Sequence, residues 1–321
     1  MPTNPKLQNH LMRELMHTIR LKGNGDVMVL LALSGKETFP VFTYVVQTKI
    51  ALHFTQATIM HLLNLESYDK IATSAKVCVR VSTSGALRLF SRFVRDLNVI
   101  ISASFRLPID WASLEDLTIY DVSAGKFLDG VANGTILLAN LRKLMFRLTF
   151  NDLIKTLLTA CFPFPEEVTL TIEQADHAPT LHGAFKTFPR VKRLKIIYSM
   201  NNDPNKFQVL NELPAVIKCF PGLKSVKIML RDRHDFISNH PEIVEVAKFH
   251  EQLQTADFSV PVDVTYHEFV YMSPSDSTEE FNSQLKSIGF KAEHYAYEYI
   301  FSLDNHNVKL FHQICEYELY C

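Results

Sequence analysis

The chain carries thirteen histidines and five cysteines. These are its best candidates for chemistry, and their spacing decides which chemistry is open to them. No pair of histidines forms H-E-x-x-H, and none stands at ligand spacing from a cysteine, so no zinc motif is present. Cys78, Cys161, Cys219, Cys315 and Cys321 are odd in number and lack a C-x-x-C pair. They read as buried or free thiols of a reducing compartment, not as a disulfide framework. Asp176-His177, His182 and His234-Asp235 lie in loop-like stretches and could form an acid/base pair. Among thirteen histidines such neighbours are also expected by chance. His17, His53 and His61 lie in apolar, helix-like surroundings and read as packing residues. Gly23-Asn-Gly25 lacks a preceding strand and a third glycine, so it is a turn and not a dinucleotide loop. There is no phosphate-binding G-x-x-x-x-G-K-[ST] and no G-x-S-x-G. The residues thus predict no catalytic site, no metal and no cofactor. An enzyme using a loop histidine stands as the alternative from a different class.

The bulk properties point the same way. With 33 basic and 34 acidic residues the net charge is -1, so bulk attraction to nucleic acid or to a membrane surface is not expected. The first 30 residues hold Arg13, Glu14, Arg20, Lys22 and Asp26, which does not fit a signal peptide. The longest apolar run, Val27 to Leu33, is far short of the roughly 18–20 residues a bilayer demands. The expected location is intracellular, cytoplasmic or nuclear.

The elements that would position any functional residue come from a repeat. Trp111-Ala-Ser-Leu114-Glu-Asp-Leu117-Thr-Ile119 shares a pattern with Leu138-Ala-Asn-Leu141-Arg-Lys-Leu144-Met-Phe146. It returns at Phe164-Pro-Glu-Glu167-Val-Thr-Leu170-Thr-Ile172, Phe188-Pro-Arg-Val191-Lys-Arg-Leu194-Lys-Ile196 and Phe220-Pro-Gly-Leu223-Lys-Ser-Val226-Lys-Ile228. The steps from Leu117 to Leu144, Leu170, Leu194 and Val226 are 27, 26, 24 and 32 residues. Weaker copies centre on Val77/Val79, Val99/Ile101 and Val262/Val264. Leu-x-Ile alternates with period two, so each copy predicts a short strand with one apolar face. The segments between predict helices: around Asn151–Leu158, from Asp203-Pro204 towards Phe220, after Asn239-His240-Pro241, and after the capping box Ser277-Thr-Glu-Glu280. The stripe expected on the third of these is Ile243, Val244, Val246, Ala247 and Phe249. Strand and helix in alternation predict a parallel sheet with helices on one side.

Over roughly residues 70 to 235 the pattern resembles the leucine-rich repeat, whose units run to about 20–29 residues. That resemblance implies an α/β solenoid of short parallel strands. The family's Asn or Cys after each strand is replaced by Val122, Thr149, Ala175, Ser199 and Arg231, so an irregular, less curved form is expected. An unrelated α/β domain whose strands share flanks is the other reading.

Residues 1–60 show no such strand pattern. Leu7, Leu11, Met12, Leu15, Met16 and Ile19 recur at helical spacing, Asp26 caps Val27–Leu33, and Phe39–Val46 follows. Three short helices, with Gly25-Asp26-Val27-Met28-Val29-Leu30-Leu31-Ala32-Leu33-Ser34 at their centre, resemble an F-box in degenerate form. The resemblance implies docking on the small adaptor of an SCF-type ubiquitin ligase, with Leu11, Leu15, Val27, Leu30 and Leu31 as adaptor-binding residues. Adaptor and cullin subunits would then be partners. Alternatively the helices cap the open end of the solenoid.

The expected organisation is a helical module over 1–60 and a leucine-rich-repeat-like domain with a C-terminal cap over 61–321. The residues between the buried strand positions form one outward face. On it Tyr120, Lys143, Met145, Arg147, Arg193, Lys195, Lys227 and Met229 are the candidate partner-binding residues, suited to an acidic protein or peptide. Protein recognition is the function this predicts, as a ubiquitin-ligase substrate receptor or as a non-ligase scaffold.

Overall fold

The computed structural model describes residues 9–21, 25–54, 77–80, 89–90, 92–100, 111–120, 131, 134–159, 164–173, 186–200, 206–233, 243–272, 278–292, 298–305 and 307–318. The chain is α/β with a mostly parallel sheet, and it divides into two compact units, 1–144 and 145–321.

The first unit opens with three helices, α1 (Asn9–Leu21), α2 (Gly25–Leu33) and α3 (Thr38–Lys49). Met12 and Met16, one turn apart on α1, are buried with Met28, Val29 and Ala32 of α2 and Val41, Phe42, Val45 and Val46 of α3. Thr38 starts α3 with its hydroxyl on the carbonyls of Ala32 and Gly35. The edge of the Phe90 ring meets the Phe42 ring at 5.2 Å. Helix α3 then runs directly into strand β1 (Ile50–Phe54), which the sequence pattern did not show. Strands β2 (Val77–Arg80), β3 (Asp96–Ile100) and β4 (Asp116–Tyr120) complete a parallel sheet in the order β2-β1-β3-β4. His53 therefore lies on a strand, and His17 is exposed on α1; neither fits the helical packing role expected for it.

Strand β5 (Lys143–Thr149) begins at the boundary between the units, and the second unit continues through β6 (Glu167–Glu173), β7 (Arg193–Ser199), β8 (Val226–Arg233) and β9 (Val262–Met272). Helices α4 (Phe150–Thr159), α5 (Lys206–Lys218), α6 (Ile243–Thr255) and α7 (Thr278–Ser287) alternate with them or follow them. The chain ends in β10 (Lys291–Ala292), β11 (Glu298–Asn305) and β12 (Val308–Glu318). The order is β5-β6-β7-β8-β9-β12-β11-β10, with β12 parallel to β9 and β11 antiparallel to β12. A reversed hairpin thus finishes the parallel run.

Period two decides the burial. Leu194, Ile196 and Tyr198 of β7 are buried, while Lys195, Ile197 and Ser199 between them are part-exposed. Helix α4 needs no connecting loop. Thr149 ends β5 and caps the helix, accepting from Asp152 N–H at 3.2 Å and donating to the Asp152 carboxylate at 2.9 Å. The cap is thus Thr149, two residues before the expected Asn151-Asp152 pair. On α6 Val246, Phe249 and Leu253 are buried, and Ala247 faces solvent. Val246, with Phe281 and Leu285 of α7, packs against Val270, Tyr299 and Ile314.

The aromatic residue that opens three of the repeats builds a column. Phe164 lies 4.5 Å from Phe188 and 6.1 Å from Phe220, edge to face, with Phe146 at 6.2 Å. Backbone bonding repeats as well. Arg95 O accepts from the N–H groups of Glu115 and Asp116, Glu115 O from those of Arg142 and Lys143, and Glu166 O from those of Lys192 and Arg193. The tight turn after Phe220 requires glycine, because a Cβ on Gly222 would stand 2.4 Å from Pro189 O and 2.8 Å from Val191 O. Both are backbone atoms of the preceding turn. Gly222→Ala should therefore cost about 1–3 kcal/mol by overpacking. Urea melts read by circular dichroism will show it, and a midpoint equal to wild type would mean that the turns are not in contact.

Candidate interaction surfaces and a buried polar network

The helical module leaves apolar side chains in water. Leu11 and Leu15 are 43% and 42% exposed on the side of α1 next to its buried methionines. Val27, Leu30 and Leu33 recur every third residue on α2, so they form one stripe, and Leu30 and Leu33 are each 68% exposed. Leu31 is half-buried. Tyr44 on α3 is 56% exposed. Of the five positions expected from the sequence, Leu11, Leu15, Val27 and Leu30 are exposed and Leu31 is not, while the exposed Leu33 and Tyr44 were missed, although Leu33 continues the three-residue step.

On the strands, alternation puts the other candidate residues on the outward side. Lys143, Arg193 and Lys227 are exposed, and Met145, Arg147, Lys195 and Met229 are half-exposed. Tyr120 closes β4, and its side chain lies outside the described residues. Tyr120 and Lys143 belong to the first unit and the other candidates to the second. Arg193 is not a free cation, since its guanidinium bonds the Glu167 carboxylate. Beside it, Lys192 Nζ bonds Glu166 at 2.6 Å, which holds that carboxyl below its usual range. Exposed pairs of this kind contribute little to stability.

The second unit also holds a buried polar network. Asp232 and Glu268 are register partners on β8 and β9, and both are buried. Glu268 Oε2 lies 3.1 Å from His312 Nε2, and His312 Nδ1 lies 3.0 Å from His250 Nε2 on α6. Burial holds both imidazoles below their usual range. His250 is pushed down to about 3, its burial assisted by His312 and opposed by Glu268. With both rings neutral the chain has one direction: His250 N–H donates to His312, and His312 N–H donates to Glu268. Tyr266 stacks on His312 at 4.0 Å, and its hydroxyl donates to Asp232. Burial first, then the charges of Glu268 and Asp232, keep that phenol protonated. Phe301 stacks on His250 at 4.1 Å and Phe290 at 5.8 Å. A shielded carboxylate–imidazole chain of this kind couples helix α6 to the two strands beneath it.

Cys219 is buried, which raises its thiol to about 11, and Cys315 is also raised by burial. Neither is an activated nucleophile. Among the described residues no group of three or more His, Cys, Asp or Glu side chains is arranged to hold a metal ion. No described helix is long and apolar enough to cross a membrane. Asp176, His177, His182, His234 and Asp235, the candidates for loop chemistry, lie outside the described residues. The chain matches no family model, no curated protein and no solved structure.

Proposed function

We propose that this chain is a protein-recognition subunit, most concretely a substrate receptor of an SCF-type ubiquitin ligase. In this reading the helical module docks on the adaptor and the strand face receives the substrate. The observation that carries it is the pair of exposed apolar stripes, Leu11 with Leu15 and Val27 with Leu30 and Leu33. Helices that only sealed the end of a core would turn such residues inward, whereas large exposed apolar side chains in rows are the mark of a binding surface. The strands fit an irregular leucine-rich-repeat-like solenoid. The aromatic column and the repeated paired bonds to Arg95, Glu115 and Glu166 support that arrangement, because each turn is tied to the one before it.

A non-ligase repeat scaffold is the second reading. The direct passage of α3 into β1 favours it, since it joins the helices to the sheet without a linker. Affinity capture separates the two. The full chain should bring down adaptor and cullin subunits, and the Leu30→Glu/Leu33→Glu protein, equally folded, should not. Capture of neither by the full chain would leave the scaffold.

A further inference from the structure

The outward face of β7, β8 and β9 gathers the cations Lys195, Lys227 and Arg231 around an apolar pair. Lys195 and Lys227 are register partners on neighbouring strands. Ile197 and Met229 are the next outward pair, and Arg231 stands beyond them with His267 of β9 opposite it. A lysine pair on one side and Arg231 on the other thus flank Ile197 and Met229. Lys195 is half-buried, and its ammonium is held below its usual range by that burial and then by the charges of Arg231 and Lys227. The cations at the two ends are therefore within electrostatic reach of each other across Ile197 and Met229. Among the described residues no carboxylate is ion-paired with Lys195, Lys227 or Arg231. The register partner of Lys227 on the far side is Asp263. His267 donates from Nδ1 to Gln313 Oε1 at 3.0 Å, and burial together with Arg231 keeps it neutral at pH 7. Like charges gathered over apolar surface cost energy that an anionic ligand would recover.

We propose that Lys195, Lys227 and Arg231 form a binding site for a short extended protein segment that carries an apolar residue between two acidic ones. The proposal rests on the reading of the strand face as a protein-binding surface and gives that surface a ligand chemistry. Period two supplies the match. The lysine pair and Arg231 are four residues apart along β8, roughly 13 Å at about 3.3 Å per residue, with Ile197 and Met229 midway. An extended segment of pattern acid-x-apolar-x-acid projects its three side chains to one side at the same spacing. Its outer carboxylates meet Arg231 at one end and the lysine pair at the other, while its apolar side chain seats on Ile197 and Met229. A nucleic-acid backbone fits less well. It needs a long basic track, and here Asp263 and Glu167 interrupt the face of a chain whose net charge is -1.

The test uses the full-length protein and fluorescein-labelled peptides at low salt, read by anisotropy. A Glu-Ser-Leu-Ser-Glu peptide should bind, and Lys-Ser-Leu-Ser-Lys should not. Salt should weaken the complex, and Lys195→Glu/Lys227→Glu should weaken it by about tenfold or more. Arg231→Ala should do the same in part, and circular dichroism should show each variant folded. Absence of binding by the first peptide overturns the site. So does binding that both charge variants leave unchanged, or tighter binding of an oligothymidylate of equal charge. If the wild-type chain captures the adaptor yet ignores the peptide, this site falls and the receptor reading stands. If the peptide binds and the adaptor does not, the reverse holds.

Discussion

Phe164→Ala should destabilise the second unit by about 3–5 kcal/mol, the range for deleting a buried aromatic ring. Phe164 is 1% exposed, and its ring touches those of three other repeats. Removing it opens a cavity that a column of stiff rings cannot close. The cost should exceed that of Phe188→Ala, because Phe188 lies nearer the surface at 6% exposure and has two of the column's rings as neighbours. Guanidinium unfolding followed by circular dichroism measures both. Equal small losses would mean that the repeats do not lean on one another through these rings.

The buried network should make the second unit sensitive to acid. His250 and His312 have folded pKa values below the ordinary histidine value of 6.5. The unfolded chain therefore takes up protons first. Stability is complete above about pH 6.5 and falls as the pH drops below it, for His250 down to its folded value of about 3. His250 loses roughly 2 kcal/mol between pH 7 and pH 5, at about 1.4 kcal/mol per unit below 6.5, and His312 adds a loss in the same direction. The groups facing this chain are Asp232 of β8, Tyr266 and Glu268 of β9, and the rings of Phe290 and Phe301. His312→Phe keeps a ring stacked on Tyr266 but strips Glu268 of its imidazole donor, and should cost about 3–5 kcal/mol at pH 7. The double variant Glu268→Leu/His312→Phe should recover most of that loss, because it removes the carboxylate as well. Melting temperatures across pH 5–8 for the three proteins decide the matter. A flat profile for the wild type, or a double variant as unstable as the single one, would remove the network from the account of stability.

Much of the second unit was legible because one physical rule recurs. Leu194, Ile196, Val226 and Ile228 alternate with polar neighbours, so strand and inward face follow from period two alone, and the Phe residues upstream mark each turn. Helix α6 followed from its stripe, in which Val246 and Phe249 are buried and Ala247 is not, while the expected cap at Asn239-His240-Pro241 lies outside the described residues. Strand β1 escaped because Ile50-Ala-Leu-His-Phe54 continues an apolar helix without a break. The polar network was within reach of the same rule. In Val262-x-Val264-x-Tyr266-x-Glu268-x-Val270 the glutamate stands in phase with the core, and His250 sits four residues after Val246 on the buried stripe. A polar residue at a core phase was the signal. His312, 62 residues from His250 and 44 from Glu268 in sequence, could be paired with them only by the fold. The charge triad was legible in part: Lys195 and Lys227 lie on the named face and Arg231 follows Lys227 by four residues on the same strand, whereas Lys195 and Lys227 stand side by side only through the register of β7 and β8.

The most direct test of the receptor reading is titration of a purified SCF-type adaptor subunit into the full-length chain by calorimetry, beside the Leu30→Glu/Leu33→Glu protein. Saturable one-to-one binding by the wild type, abolished in the variant while its far-ultraviolet spectrum is unchanged, is the predicted result. Heat of dilution alone from the wild type, or equal binding by both proteins, would contradict docking through α2.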